Sequence, residues 1–367
     1  MRTLHRQRPR GALLLSLGVV GLLLASPAAA QEESPVPGAG LTAPAGAPPL
    51  PTGLSATSWL VADLDTGAIL AAQDAHRQLR PASALKVLTA LTLIPRIERT
   101  STIEPTFADV NIEGSRVGLV EGIRYPAYHV FRGLLMTSGN DAANALATAA
   151  GGIELTAQSM NDEARRLGAS RTHAVNASGL DADGQVTTAY DLALISRAAM
   201  ELPDFRTYVS TKRSTILGRM GKPLRITSHD KLLFNYDGAI GIKNGYTAAA
   251  GATFVGAATR GGHTLLVTVL HAKPRVWPEV ASLLDWGFAA SAAGVTPVGQ
   301  LPGPNRPVLV ADAAGAATPL TETRYVEGVS VLPLGVVLLT ASGTVVAVRR
   351  RRRPARGLSA AGSTAPY

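Results

Sequence analysis

The chain has 367 residues, 46% hydrophobic and 17% charged, with no cysteine and a formal net charge of +9. That length is ample for a buried core, and the missing cysteines exclude disulfides and thiolate chemistry. The positive charge sits at the two ends: Arg2, Arg6, Arg8 and Arg10 near the start, and Arg349 to Arg353 with Arg356 near the finish. With those ten set aside, 25 basic residues face 26 acidic ones, so the central chain gives no support to nucleic-acid binding.

In chain order, residues 1–30 join basic residues to an apolar run, Ala12 to Ala25, and then to Ala28-Ala29-Ala30. This is the pattern of a secretory signal peptide cut before Gln31. An uncleaved anchor is the alternative, opposed by the shortness of the run. Residues 31–54 are rich in Pro, Ala and Gly and are expected to form a linker. A folded domain is expected over 55–288.

Within it, Trp59 to Leu64 and Ala68 to Ala72 are apolar runs joined by Asp65-Thr66-Gly67, a hairpin signal. Thr253 to Thr259 and Thr264 to Leu270 repeat the arrangement around Arg260-Gly261-Gly262-His263. With Gly238 to Ile242 they predict about five strands, mostly hairpin-linked and therefore antiparallel. Helices are predicted between them, over Ala82 to Ile94, Tyr128 to Leu135, Asp141 to Ala150, Leu155 to Leu167 and Ala189 to Glu201, with a closing helix from Trp277 to Phe288. The fold class is α/β of the α+β kind: an antiparallel five-stranded sheet with flanking helices and an inserted helical subdomain.

Beyond this domain, residues 289–328 carry Pro297, Pro302, Pro304 and Pro307 and are expected to be a second linker, with a small strand at Pro307 to Ala311. Residues 329–348 are uncharged and long enough to span a bilayer. The arginines that open the tail, 349–367, place that tail in the cytoplasm and the domain outside. The expected location is the cell membrane, single-pass, with the domain extracellular.

Three short strings carry chemistry: Ser83-Ala84-Leu85-Lys86, Ser138-Gly139-Asn140 and Lys243-Asn244-Gly245-Tyr246-Thr247. A serine hydroxyl needs a neighbouring base to become nucleophilic. Lys86, three residues after Ser83, lies on the same helical face, and an apolar helix lowers a lysine's pKa by burial. A second S-x-x-K occurs at Ser228 to Lys231 and a second S-x-N at Ser159 to Asn161. Neither stands in order with the other strings, and both are set aside. The histidines are scattered, so no metal and no cofactor is expected.

The ordered set resembles the shared signature of penicillin-binding proteins and serine β-lactamases, S-x-x-K, S-x-N and K-T-G. Flanking strings such as Pro81-Ala82-Ser83, Thr137 to Ala143 and Thr188 to Ala193 make it most similar to the low-molecular-mass D-alanyl-D-alanine carboxypeptidases. That resemblance implies a serine β-lactamase/transpeptidase-like fold whose substrate is a peptidoglycan stem peptide ending in D-Ala-D-Ala, with β-lactams as covalent inhibitors. It implies Ser83 as nucleophile, Lys86 as base and Ser138 as proton relay. Asn140, Lys243, Asn244, Tyr246 and Thr247 would bind substrate, with the backbone N–H groups of Ser83 and Tyr246 holding the oxyanion. Asn244 stands where the family usually has a hydroxyl that helps bind the terminal carboxylate; its amide can donate instead, and Thr247 offers a hydroxyl nearby. A β-lactamase would carry E-x-x-L-N between the second and third strings, and none is there. A transpeptidase or endopeptidase shares the acyl-enzyme, and a catalytically silent wall-binding protein would not need Ser83 and Lys86 together.

Overall fold

The structure, a computed structural model, describes residues 39–303 and two short paired strands, β12 (Val310–Ala311) and β13 (Ala317–Thr318). The proposed signal peptide, membrane span and basic tail lie outside the described residues. No described helix is long and apolar enough to cross a membrane.

The elements run β1 (Leu41–Thr42), β2 (Ser58–Asp63), β3 (Ala68–Gln73), a 3₁₀ turn (Ala82–Leu85) continuing into α1 (Lys86–Leu93), β4 (Thr102–Ile103), α2 (Phe107–Val110), β5 (Tyr125–Pro126) and α3 (Ala127–Met136). Then come α4 (Asn140–Ala149), α5 (Ile153–Arg166), α6 (Ala189–Ala199), α7 (Pro203–Ser210), the hairpin β6 (Arg213–Leu217) and β7 (Pro223–Thr227), and α8 (Leu232–Asn235). The chain closes with β8 (Ala239–Thr247), β9 (Gly251–Arg260), β10 (His263–Ala272), α9 (Trp277–Ala292) and β11 (Gly299–Gln300).

The main sheet is antiparallel in the order β1-β3-β2-β10-β9-β8. Its five long strands are the five the sequence predicts. Two dipeptide strands, β1 and β11, are added on the outer edge of β3, where Leu41 and Thr42 pair with Gln73 and Ala72, and Gly299 and Gln300 with Ile69 and Ala68. At the other end β8 is an edge with β9 on one side only. Side chains alternate along a strand: Leu60 and Ala62 of β2 enter the core beneath α1 and α6, while Trp59 and Val61 enter a second core beneath α9. Both faces are covered, which is why these strands read as continuous apolar runs rather than alternating ones.

The helical insertion lies between β3 and β8 in sequence. Capping is legible there: Thr106 and Asp109 form a reciprocal capping box at α2, and the Thr188 hydroxyl accepts from Asp191 N at 2.9 Å to start α6. The predicted helix over Ala189 to Glu201 ends earlier, and Pro203 opens α7 at a position where a missing N–H does no harm. Strand β8 runs five residues past the predicted Ile242, because Lys243 to Thr247 pair with Val255 to Gly251 in register.

Both expected linkers are partly built into the domain. Ala47, Leu50 and Leu54 of the first linker pack against the second core, Trp286 Nε1 donates to Pro48 O at 2.9 Å, and just beyond the linker Ser55 Oγ donates to Glu279 Oε1 at 2.5 Å while accepting from Lys273 N at 2.9 Å. After Phe288, α9 continues to Ala292, and Leu301 is buried with its N–H bonded to Gly67 O. The physical reason is that the outer edge of β3 and the α9 face need cover, and small, Pro-rich segments supply it without adding charge. The domain therefore spans at least 41–301 rather than 55–288.

Ser55→Ala removes the hydroxyl's contacts with Glu279 and Lys273 and leaves the Ser55 N–H on Glu279 Oε2, so it should lower stability by about 1 kcal/mol in urea unfolding of the domain; an unchanged midpoint would show that the hydroxyl does not help hold the N-terminal segment to it.

Candidate active site

Ser83 lies in the 3₁₀ turn and Lys86 begins α1, so one short segment carries nucleophile and amine. The residue before the serine, Ala82, has φ +45°, and Ser138 has φ +60°. Left-handed backbone at a residue with a side chain is strained and is held by its surroundings. Both strained residues stand next to the chemistry.

Lys86 is fully buried. Its Nζ is 3.0 Å from Ser83 Oγ, 2.7 Å from Asn140 Oδ1 and in short contact with Ser178 O. The Asn140 amide is fixed the right way round because its Nδ2 donates to Glu113 O at 2.8 Å. Two of the amine's neighbours are therefore carbonyl oxygens, which only accept. A neutral amine gives its two hydrogens to them and keeps its lone pair for the Ser83 hydroxyl proton. Burial, and after it the charge of Lys243, hold Lys86 well below the usual lysine range, with Asp141 opposing. The arrangement is that of a general base on a serine.

Ser178 reaches the amine through a tight crossing: Gly179 has φ +80°, and a Cβ on it would stand 2.0 Å from Ala82 O. The loop over Asn140 is fixed by Asp141, whose carboxylate accepts from Val117 N, Gly118 N and Leu119 N at 2.9, 2.8 and 3.0 Å.

Strand β8 closes the other side. A Cβ at Gly245 would lie 2.7 Å from Ser83 N, so the strand passes directly against the nucleophile's backbone and only glycine fits. Lys243 shares that face and is buried. Burial takes its pKa down to about 7, with Asp230 pulling it back up. Asp230 itself is buried and pushed up to about 6, by burial first, against the backbone N–H of Leu232 and the charge of Lys243. Its Oδ2 has no hydrogen-bond partner.

The eight predicted site residues separate into groups. Ser83, Lys86 and Asn140 are in direct contact, and Ser138 and Lys243 are buried beside them. Asn244 and Tyr246 lie on the opposite face of β8 from Gly245. There they line a cavity of about 160 Å³ that also holds Arg275 and Trp277. Thr247 offers no free hydroxyl, since its Oγ1 donates to Asp181 Oδ1 at 3.1 Å and accepts from Ala250 N at 2.9 Å. Arg275, the Ser178 carbonyl and Asp230 escaped the sequence reading. Asp230 lies in the S-x-x-K string set aside there, and that string is no second nucleophile pair: its Ser228 hydroxyl accepts from Asp230 N and its Lys231 is exposed.

Residues 45–274 match the family profile described as D-alanyl-D-alanine carboxypeptidase. The chain belongs to that family. The carboxypeptidase DacB2 of Mycobacterium tuberculosis is 44% identical over 253 residues, covering 67% of this chain and 86% of the relative. DacD of Escherichia coli is 34% identical over 255 residues, covering 65% of this chain and 64% of DacD. Among solved structures, a D-alanyl-D-alanine carboxypeptidase of M. tuberculosis superposes with TM-score 0.68 at 42% identity, over 71% of this chain and all of that one. The Streptomyces K15 DD-transpeptidase superposes with TM-score 0.63 at 28% identity, over 66% of this chain and all of that one. The family likeness covers the sheet, the helical insertion and all three motif strings, and the fold is of the penicillin-binding, transpeptidase-like kind that the motifs imply.

Asp230→Asn removes the charge that holds the Lys243 pKa up. Lys243 then loses its proton at lower pH, and the alkaline limb of kcat/KM for D-alanine release should move down by about one pH unit; a limb that stays in place would mean that Asp230 does not set the charge on Lys243.

Proposed function

We propose that this chain is a serine-type D-alanyl-D-alanine carboxypeptidase that removes the terminal D-alanine from peptidoglycan stem peptides. The observation that carries the reading is the buried Lys86 amine on Ser83 Oγ, with its other two hydrogen-bonding directions taken by carbonyl oxygens. Family membership names the substrate class, since DacB2 and DacD are D-alanyl-D-alanine carboxypeptidases by name.

The free edge of β8 offers backbone groups along which an extended peptide can pair, which would lay the scissile carbonyl against the Ser83 and Tyr246 N–H groups. Lys86 takes the Ser83 proton as Oγ bonds to the carbonyl carbon. The tetrahedral oxyanion is held by those two N–H groups. The C–N bond then breaks, and the departing D-alanine nitrogen receives, through Ser138 with Lys243 behind it, the proton that Lys86 took from Ser83, which leaves Lys86 neutral again. Asn140 orients the substrate amide and Lys86. Water attacks the ester, with Lys86 again taking a proton, and releases the shortened peptide and Ser83. The terminal carboxylate has Asn244 and Arg275, which line one cavity, as candidate donors, a guanidinium being suited to paired contact, while Lys243 adds positive charge from the other face of β8. The same ester forms with a β-lactam, whose amide carbonyl takes the place of the peptide's.

The chain ends complete the proposal. Export by residues 1–30 and anchoring by residues 329–348, with the arginine-rich tail inside, would hold the catalytic domain on the outer side of the membrane, where the wall peptide lies.

Wild-type protein should release D-alanine from a peptide ending in D-Ala-D-Ala and gain one penicillin mass on prolonged incubation, and Ser83→Ala should do neither. Rapid destruction of the drug without a lasting adduct would replace the reading with a β-lactamase, and no adduct with intact drug would replace it with a silent binder.

A further inference from the structure

A cavity of about 560 Å³ opens beside the catalytic centre. It starts at Thr137, the residue before Ser138, and at Val117, whose N–H is held by Asp141. Its walls come from the loop carrying Arg116 and from one continuous stretch that runs from strand β7, with Arg225 and Thr227, on to His229 and Lys231. No Asp or Glu lines it. Arg116, Arg225 and Lys231 are exposed, and none has an ion-pair partner among the described residues. His229 and Lys231 also line the smaller cavity with Asn244, Gly245 and Tyr246, so the two spaces share a wall.

Like charges gathered at one groove repel one another, and here no carboxylate in the lining and no ion pair among the described residues offsets them. The His229 imidazole on the shared wall is held below its usual range by burial, then by Lys243 and Lys231. A ligand that carries negative charge relieves the repulsion. The domain as a whole is close to neutral, so this is a local feature and not a general basic surface.

We propose that this groove is an anion subsite that binds a free carboxylate of the peptide substrate outside its D-Ala-D-Ala end, through Arg116 and Arg225 with Lys231 at the inner rim. The proposal rests on the carboxypeptidase reading for its substrate class. It adds that the enzyme distinguishes peptides whose side carboxylates are free from those in which they are amidated. Guanidinium groups are suited to this because they bind carboxylates through paired N–H donors. Thr227 supplies a hydroxyl that can complete the contact.

The test measures binding to the full chain carrying Ser83→Ala, so that nothing is turned over. The probes are two fluorescent peptides ending in D-Ala-D-Ala, identical except that the internal side carboxylates are free in one and amidated in the other. The acid form should bind about tenfold more tightly at low salt, as one charge-assisted contact gives. That advantage should shrink at high salt and vanish when Arg116→Ala and Arg225→Ala are added. Equal affinity for the two peptides, or an advantage that survives the double substitution, would overturn the proposal. Displacement by inorganic pyrophosphate at lower concentration than by the acid peptide would also overturn it, assigning the groove to a phosphorylated polymer. Failure of the carboxypeptidase reading looks different: with Ser83 intact, neither peptide would lose D-alanine, whatever their relative affinities.

Discussion

A lysine amine with no access to water is more stable neutral than charged, because an unpaired ammonium in a protein interior costs several kcal/mol. Lys86 is in that position, and the described site is arranged around it. Asn140 and Ser178 give it two acceptors and no negative partner, so the third direction is left for the Ser83 hydroxyl. The nearest opposing influence, Asp141, has its carboxylate spent on three backbone N–H groups of the 117–119 loop. The second lysine, Lys243, adds positive charge that further disfavours the ammonium. The two lysines thus divide the work. In the proposed reaction Lys86 is the neutral base, while Lys243, its charge favoured by Asp230, supplies positive charge.

The fold serves this arrangement by bringing three distant strings to one cleft. The sheet is buried on both faces, which makes it a rigid platform, and β8 is left as an edge against the 3₁₀ turn that carries Ser83. Close approach is purchased with small residues and strained backbone: Gly245 against Ser83 N, Gly179 against Ala82 O, and positive φ at Ala82 and Ser138. Each of these is unfavourable in isolation and is maintained by the packed helices around it. The adjoining basic groove is made from the same segments, the loop fixed by Asp141 and the stretch that ends at Lys231, so the catalytic centre and the proposed carboxylate subsite share a frame.

Much of this was legible in the sequence. The five long strands and the main helices follow from apolar runs and hairpin signals, and the order of the three strings singles out Ser83, Lys86, Ser138, Asn140 and Lys243, which the fold gathers in one buried cluster. The parts that were not legible depend on tertiary contact. Ser178 acts through its carbonyl, which every residue has. Asp230 stood inside a string that looked like chance, and its effect on Lys243 comes from burial, which no local pattern records. Arg275 is one arginine among many until the fold sets it beside Asn244. The use of the Thr247 hydroxyl by Asp181, 66 residues away, leaves no local trace. The Pro-rich flanks read as linkers because pairing of two-residue strands such as β1 and β11 leaves no periodicity to detect.

The most direct test of the account is the charge on Lys86, followed by NMR with lysines labelled at Cε and the Lys86 signal assigned by its loss in Lys86→Arg. This signal should titrate well below those of the exposed lysines. A Lys86 that stays charged until pH 10 would contradict the account, and with it the role of this amine as the base for Ser83.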